Sequence, residues 1–73
     1  MKEIEIINKV KLARVEKGLT QQELADSVGV TRQTIGLIES GNYNPTIKLC
    51  LLLAATTDKS LDEIFSIKGE TNE

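Results

Sequence analysis

The sequence lacks the residues from which most catalytic and metal centres are built. It contains no histidine, no tryptophan and a single cysteine, Cys50. Protein zinc sites draw mainly on histidine and cysteine, so no metal site is expected. The sequence also shows neither a nucleophile beside a base nor a glycine-rich phosphate loop. The chain is therefore not expected to be an enzyme, or to hold a cofactor or small-molecule ligand.

The lone cysteine excludes a disulfide within the chain. A redox sensor requires an exposed thiol of low pKa beside basic residues, whereas Cys50 lies in the apolar segment 47–55. A small buried hydrophobe is the favoured interpretation. A single unpaired thiol is also typical of proteins from reducing compartments.

Long hydrophobic runs are absent too. The longest, residues 49–55, is much shorter than the roughly 20 residues that a membrane span requires. Glu3 and Glu5 interrupt the N-terminus, which is unlike a secretion signal. These features predict a cytoplasmic protein with no membrane partner.

With 73 residues the chain forms one small domain, and such a chain buries only about 60% of its unfolded surface. Small domains usually need a disulfide, a metal, well-packed helices or oligomerisation for stability. The single cysteine excludes a disulfide within the chain, and the absence of histidine makes a zinc site unexpected. The sequence thus predicts helix packing combined with dimerisation.

The net charge of −2 is unevenly distributed. Residues 8–48 carry +2, residues 1–7 carry −1 and residues 58–73 carry −3. A mildly basic body could face a polyanion while the acidic end faces away from it.

Capping signals divide most of the chain into helices. Residues 20–23 (TQQE) and 60–63 (SLDE) are capping boxes, in which the first side chain bonds the fourth amide and the fourth side chain bonds the first. Further cap signals are Asn8, Thr31 and Thr46 at starts, and Gly18, Gly29, Gly41 and Asp58 at ends. The resulting prediction is an all-α fold with five helices, at residues 9–17, 21–28, 32–39, 47–57 and 61–65.

The two chain ends have strand character. Polar and apolar residues alternate over residues 3–7 and again over residues 65–68, which is typical of short strands. We expect a small two-stranded antiparallel sheet. The predicted organisation is a strand or arm at 1–7, the main domain at 8–66, and a strand end with a flexible acidic tail at 67–73.

Residues 21–39 hold the most informative spacing. A small residue at Ala25 allows the following helix to cross closely, and Gly29 allows a tight turn. Five apolar residues would face one shared core: Leu24, Val28, Val30, Ile35 and Ile38. This combination is typical of a helix-turn-helix motif.

With these residues in place, the sequence resembles the Cro/XRE family of transcriptional regulators, which includes the lambda-type phage repressors. The matching segments are residues 14–25, 30–35, 38–46 and 60–65. The resemblance implies a five-helix lambda-repressor-like bundle whose third helix enters the DNA major groove. The chain ends are similar to a branch of very small dimeric regulators that add a two-stranded sheet.

By position, Arg32 and Gln33 match the family's base-contacting residues. Their chemistry agrees, because arginine can bond guanine O6 and N7 as a fork and glutamine can bond adenine N6 and N7. Leu37 departs from the more common polar residue, and either contacts a thymine methyl or is simply exposed. Gly36 also departs from the usual longer side chain, which would permit a close approach to DNA.

The resemblance further implies contacts that support binding without specifying sequence. Gln21, Asn42 and Tyr43 would contact phosphates, although Tyr43 could instead fill part of the bundle. Thr31 and Thr34 would contact phosphate or a thymine methyl. Arg14 and Glu39 match a family ion pair that joins the first and third helices.

The implied function is a sequence-specific repressor that binds a palindromic double-stranded DNA operator as a homodimer. The candidate dimer interface is apolar surface in excess of what one small core needs: Leu51, Leu52, Ala55 and Leu61. An alternative is an antitoxin-type or other protein-interaction module on the same fold, in which a partner protein covers that surface.

Overall fold

The structure, a computed structural model, describes residues 5–68. Within this range the chain forms five helices and two strands, in the order β1 (Ile6–Asn8), α1 (Val10–Lys17), α2 (Gln21–Val28), α3 (Arg32–Glu39), α4 (Ile47–Thr56), α5 (Leu61–Ile64) and β2 (Phe65–Ile67). The five-helix prediction is confirmed. The helix α1 begins one residue later than predicted, and α4 and α5 each end one residue earlier. No helix in this range is long and apolar enough to span a membrane.

Local capping explains most of these boundaries. Before α2, Thr20 Oγ1 accepts a hydrogen bond from the Glu23 amide at 3.0 Å, and Glu23 Oε1 accepts one from the Thr20 amide at 2.8 Å. The Thr31 hydroxyl accepts in the same way from the Thr34 amide at 3.1 Å. Asp58 follows α4 with a φ of 60°, the left-handed conformation that aspartate tolerates better than most residues.

The capping box predicted at the start of α5 is present. Glu63 Oε1 accepts from the Ser60 amide at 2.6 Å, and the Ser60 hydroxyl also donates to Asp62 Oδ1 at 2.7 Å. The hydrogen bond from the Ser60 amide favours the ionised carboxylate and lowers the pKa of Glu63. The carboxylate of Glu63 thus caps the start of α5.

Asn8 is not the N-cap of α1, contrary to the prediction. Lys9 occupies that position, because the backbone of Asn8 pairs with Phe65 in the sheet. A lysine side chain has no acceptor, so it provides no side-chain cap. The Asn8 side chain still stabilises the region. Its Oδ1 accepts from the Val10 amide at 3.1 Å, and its Nδ2 donates to the carbonyl of Ile38 at the end of α3.

The predicted antiparallel sheet is confirmed, with β1 extending one residue further than predicted, to Asn8, and β2 ending one residue earlier, at Ile67. Ile6 pairs with Ile67, and Ile7 pairs with Ser66. Beyond the last pair, the Lys68 amide donates to the Glu5 carbonyl at 2.8 Å. The predicted strand residues 3–4 and most of the predicted tail, residues 69–73, lie outside the described residues.

One apolar core joins all five helices. Leu24, Ile35, Ile38 and Leu53 are fully buried, as is Ala25 at the crossing of α2 and α3. The remaining buried apolar residues are Val10, Ala13, Val28, Leu49, Ala54 and Ile64. Val30 is half-buried against this core. The core fixes α3 against the bundle and leaves its opposite face exposed.

Alanine substitutions at two glycines should have opposite effects on stability. Gly29 has a φ of 83°, where a Cβ adds strain, so Gly29→Ala should destabilise by about 1 kcal/mol. Gly36 lies inside α3, and a Cβ there would meet Gln21 Nε2 at an ordinary 3.8 Å. Gly36→Ala should therefore stabilise by about 0.5–1 kcal/mol. Urea unfolding measures both, and changes of equal sign would contradict this account.

Candidate nucleic-acid interface

The turn between α2 and α3 sets the orientation of α3. The amides of Gly29 and Val30 both donate to the Ala25 carbonyl, at 2.9 and 3.0 Å. These hydrogen bonds mark the end of α2. The left-handed backbone conformation of Gly29 then turns the chain toward α3. Because Ala25 has no bulky side chain and is fully buried, α3 packs directly over it.

The solvent face of α3 begins at its first residue. Arg32 and Gln33 are exposed, Gly36 is half-buried, and Leu37 is 39% exposed one turn further on. Ile35 and Ile38 point in the opposite direction and are fully buried. We name the exposed side of α3, made of Arg32, Gln33, Gly36 and Leu37, the α3 strip.

Arg32 supplies the positive charge of the α3 strip. Within residues 5–68, no ion pair involves Arg32. By contrast, Lys17 pairs with Asp58, and Lys59 pairs with Glu16 at 2.9 Å. The hydrogen bond to the Glu16 carboxylate raises the pKa of Lys59. The Arg32 guanidinium keeps its donors available for an external acceptor.

Two threonines stand at the start of the α3 strip. The hydroxyl oxygens of Thr31 and Thr34 are 2.9 Å apart and share a hydrogen bond. Since each hydroxyl carries one hydrogen, one of the two remains free to donate to an acceptor such as a phosphate oxygen.

The structure brings Arg14, Gln21 and Glu39 into one cluster. Arg14 Nε lies 2.7 Å from Glu39 Oε2, and Gln21 Nε2 donates to Glu39 Oε1 at 3.1 Å. The Arg14 side chain is 11% exposed and that of Glu39 is 5% exposed. Arg14 also donates to the Leu19 carbonyl at 2.8 Å. This cluster ties α1, α2 and α3 together beside the α3 strip.

Asn42 and Tyr43 follow α3 on the surface, and both are exposed. The Asn42 amide donates to the Leu37 carbonyl and its side chain to Ser40 Oγ, each at 2.9 Å. Tyr43 is 44% exposed and lines an apolar groove of about 490 Å³. The tyrosine ring thus borders this groove and does not fill the bundle interior.

The groove is a feature that sequence reasoning did not identify. It runs between the loop before α4, the helices α4 and α5, and the sheet, and its apolar lining includes Ile6, Tyr43, Pro45, Ile47, Cys50, Leu61 and Phe65. The signal available in the sequence was the nearly all-apolar α4, but which of its residues would meet the sheet depends on the tertiary fold.

The predicted interface residues do not all meet at this groove. Leu61 is half-buried and lines it, whereas Leu51 is 53% exposed and, with the exposed Leu52 and Ala55, lies on the outer surface of α4. Cys50 is half-buried beside the groove, and its burial raises the pKa of the thiol. Such a thiol remains protonated at neutral pH and is a poor redox sensor.

A helix-turn-helix family model matches residues 10–64, so the chain belongs to the helix-turn-helix family of DNA-binding transcriptional regulators, in its Cro/C1-type XRE branch. The resemblance drawn from the sequence is confirmed. The family consists of DNA-binding regulators of transcription and not of enzymes.

Relatives and solved structures agree with this assignment. The HTH-type transcriptional regulator YgzD of Bacillus subtilis is 38% identical over 63 residues, which are 86% of this chain and 96% of YgzD. SinR, a master regulator of biofilm formation solved with DNA, superposes with a TM-score of 0.67 at 33% identity, over 73% of this chain and 86% of the matched chain. In a complex of SinR with SinI, the TM-score is 0.70 at 32% identity, over 75% of this chain and 54% of the matched one.

Proposed function

We propose that the protein is a cytoplasmic repressor that binds a palindromic operator as a homodimer, with α3 in the major groove. The observation that carries this proposal is the α3 strip. Its opposite face is locked into the core, so the strip projects as a rigid surface with Arg32 free of ion pairs within residues 5–68. SinR, which shares this fold, was solved in complex with DNA.

Within this proposal, side chains of the α3 strip contact base edges. Arg32 forks onto guanine O6 and N7, Gln33 pairs with adenine N6 and N7, and Leu37 packs on a thymine methyl. Residues around the strip contact the phosphate backbone, which fixes register without specifying sequence. They are Gln21, Thr31, Thr34, Asn42 and Tyr43.

A quantitative titration tests the proposal. Binding should be measured by fluorescence anisotropy at physiological salt, using a duplex from upstream of the protein's own gene and a scrambled duplex of equal length. If binding is specific, the upstream duplex should bind at least about 10³-fold more tightly than the scrambled duplex. Equal affinity for the two duplexes at every salt concentration would reduce the proposal to non-specific binding.

Dimerisation is proposed because two recognition helices about 34 Å apart are needed to enter successive major grooves. The proposed interface is the outer surface of α4. Leu51, Leu52 and Ala55 form this surface, whereas the half-buried Leu61, the fourth predicted interface residue, lies on α5 and lines the apolar groove. Exposed leucines on a small domain are typical of surface that a second copy covers.

Leu51→Arg should convert the dimer to a monomer in sedimentation and weaken operator binding by about 10²-fold or more, because bivalent attachment is lost. Leu12→Arg is the matched control, since Leu12 is 54% exposed on α1 and Leu51 is 53% exposed on α4. The control should remain dimeric. If Leu51→Arg also stays dimeric, the α4 surface is not the interface. Leu61→Arg then tests whether the apolar groove beside α5 is.

A second candidate function is an interaction module of the antitoxin type. Its support is the same exposed apolar surface, together with the matched complex between SinR and the protein SinI. Purification of the tagged chain from its own host distinguishes the two. A stoichiometric small protein partner that displaces the homodimer would favour this second function.

A further inference from the structure

Glu39 occupies an unusual position for an acidic residue near a surface proposed to face phosphates. Its two carboxylate oxygens accept hydrogen bonds from partners on two other helices. Oε2 accepts from Arg14 Nε at 2.7 Å, and Oε1 accepts from Gln21 Nε2 at 3.1 Å and from Arg14 Nη2 at 3.4 Å. With its side chain only 5% exposed, Glu39 acts through these neighbours and not through direct contact with a ligand.

The chemistry of a carboxylate decides how the Gln21 amide is turned. An ionised carboxylate accepts hydrogen bonds and donates none, so Gln21 must direct its nitrogen, not its oxygen, toward Glu39. The amide nitrogen carries two hydrogens, and the bond to Glu39 uses one. The second N–H is left for another acceptor.

The location of this amide places it beside the α3 strip. A Cβ built on Gly36 would lie 3.8 Å from Gln21 Nε2, so the amide group lies over the middle of α3, where no side chain separates them. Arg14 meanwhile pairs with Glu39 and offsets its negative charge, which would otherwise repel a nearby phosphate.

We propose that Glu39 is a positioning residue for DNA binding, which holds the Gln21 amide so that an N–H faces the phosphate backbone. A phosphate oxygen attracts an N–H and repels a C=O, so a flipped amide would turn a favourable contact into an unfavourable one. Glu39 prevents that flip. This inference rests on the proposed function, because it names how one backbone contact of that interface is oriented.

A double-mutant cycle tests whether Glu39 acts through Gln21. Operator affinity is compared for the wild type, Gln21→Ala, Glu39→Gln and the double variant, with folding of each verified by circular dichroism. In the wild-type background Gln21→Ala should weaken binding about five- to tenfold, as expected for loss of a hydrogen bond to phosphate. In the Glu39→Gln background, where the Gln21 amide is no longer oriented, Gln21→Ala should weaken operator binding twofold or less.

The control is Gln22→Ala. Gln22 is the next residue in α2, but its side chain donates to Asp26 in its own helix at 2.8 Å, so its removal should leave operator affinity unchanged. Equal effects of Gln21→Ala in both backgrounds, or no effect in the wild type, would overturn the positioning role while leaving the proposed function intact. Failure of the wild type to bind any duplex would overturn both.

A second measurement needs no variant, in case Glu39→Gln does not fold. The two side-chain N–H signals of Gln21 should respond differently to operator DNA in ¹H–¹⁵N spectra of the wild-type protein. The hydrogen bonded to Glu39 should keep its position, while the other should shift. Equal shifts, or none, would overturn the inference.

Discussion

Replacing Arg32 and Gln33 together with alanine is expected to reduce operator affinity to the level of unrelated DNA. Each two-pronged contact between a side chain and a base contributes about 1–3 kcal/mol of discrimination. Losing both should weaken binding about 30-fold to 10⁴-fold for each half-site. Affinity for a scrambled duplex should fall much less, because that binding depends on total charge. Anisotropy titrations of both duplexes at one salt concentration measure the two losses.

A charge-matched control separates base contacts from general electrostatics. The Gln22→Ala, Lys48→Ala double variant also removes one glutamine and one cation, from exposed positions outside the α3 strip. It should retain the preference for the operator. If the Arg32 and Gln33 changes weakened operator and scrambled DNA by the same factor, these side chains would be phosphate contacts and α3 would not determine specificity.

Arg32→Lys sharpens the same test. Lysine keeps the positive charge but has no planar fork to match guanine O6 and N7. We therefore expect most of the operator preference to be lost while binding to scrambled DNA is nearly unchanged. Preserved preference would mean that Arg32 contributes charge alone.

Much of the fold could be predicted because its signals are local. Thr20 and Glu23 lie three residues apart and cap α2 whatever the rest of the chain does. Gly29 marks the turn for a similarly local reason, since the left-handed backbone favours glycine. The core positions Leu24 and Ile35 follow from helical periodicity, which predicts the buried side of an amphipathic helix.

The parts that escaped prediction depend on contacts between distant segments. Asn8 has the chemistry of an N-cap, but pairing with Phe65 draws its backbone into the sheet and frees its side chain for Ile38. The hydrogen bond from Gln21 to Glu39 joins residues 18 positions apart, and no sequence spacing indicates it. The apolar groove likewise exists only because the sheet folds back beside α4.

Arg14→Met is expected to cause a large loss of stability. The methionine retains aliphatic contacts but leaves the Glu39 carboxylate, only 5% exposed, with Gln21 as its remaining partner in the cluster. Removing one member of a buried ion pair costs about 3–5 kcal/mol. Total stability of a chain this size is only about 4–11 kcal/mol. Thermal unfolding should therefore occur about 15 °C lower or more.

Lys17→Met is the matched control, because it breaks another ion pair at the end of the same helix. Lys17 and its partner Asp58 have side chains 43% and 69% exposed, and exposed pairs contribute about 0–1 kcal/mol. The control should unfold within a few degrees of the wild type. Equal, small losses for both variants would mean that water reaches Glu39 freely. In that case the cluster would not hold α1, α2 and α3 together, and the orientation of Gln21 would lose its structural basis.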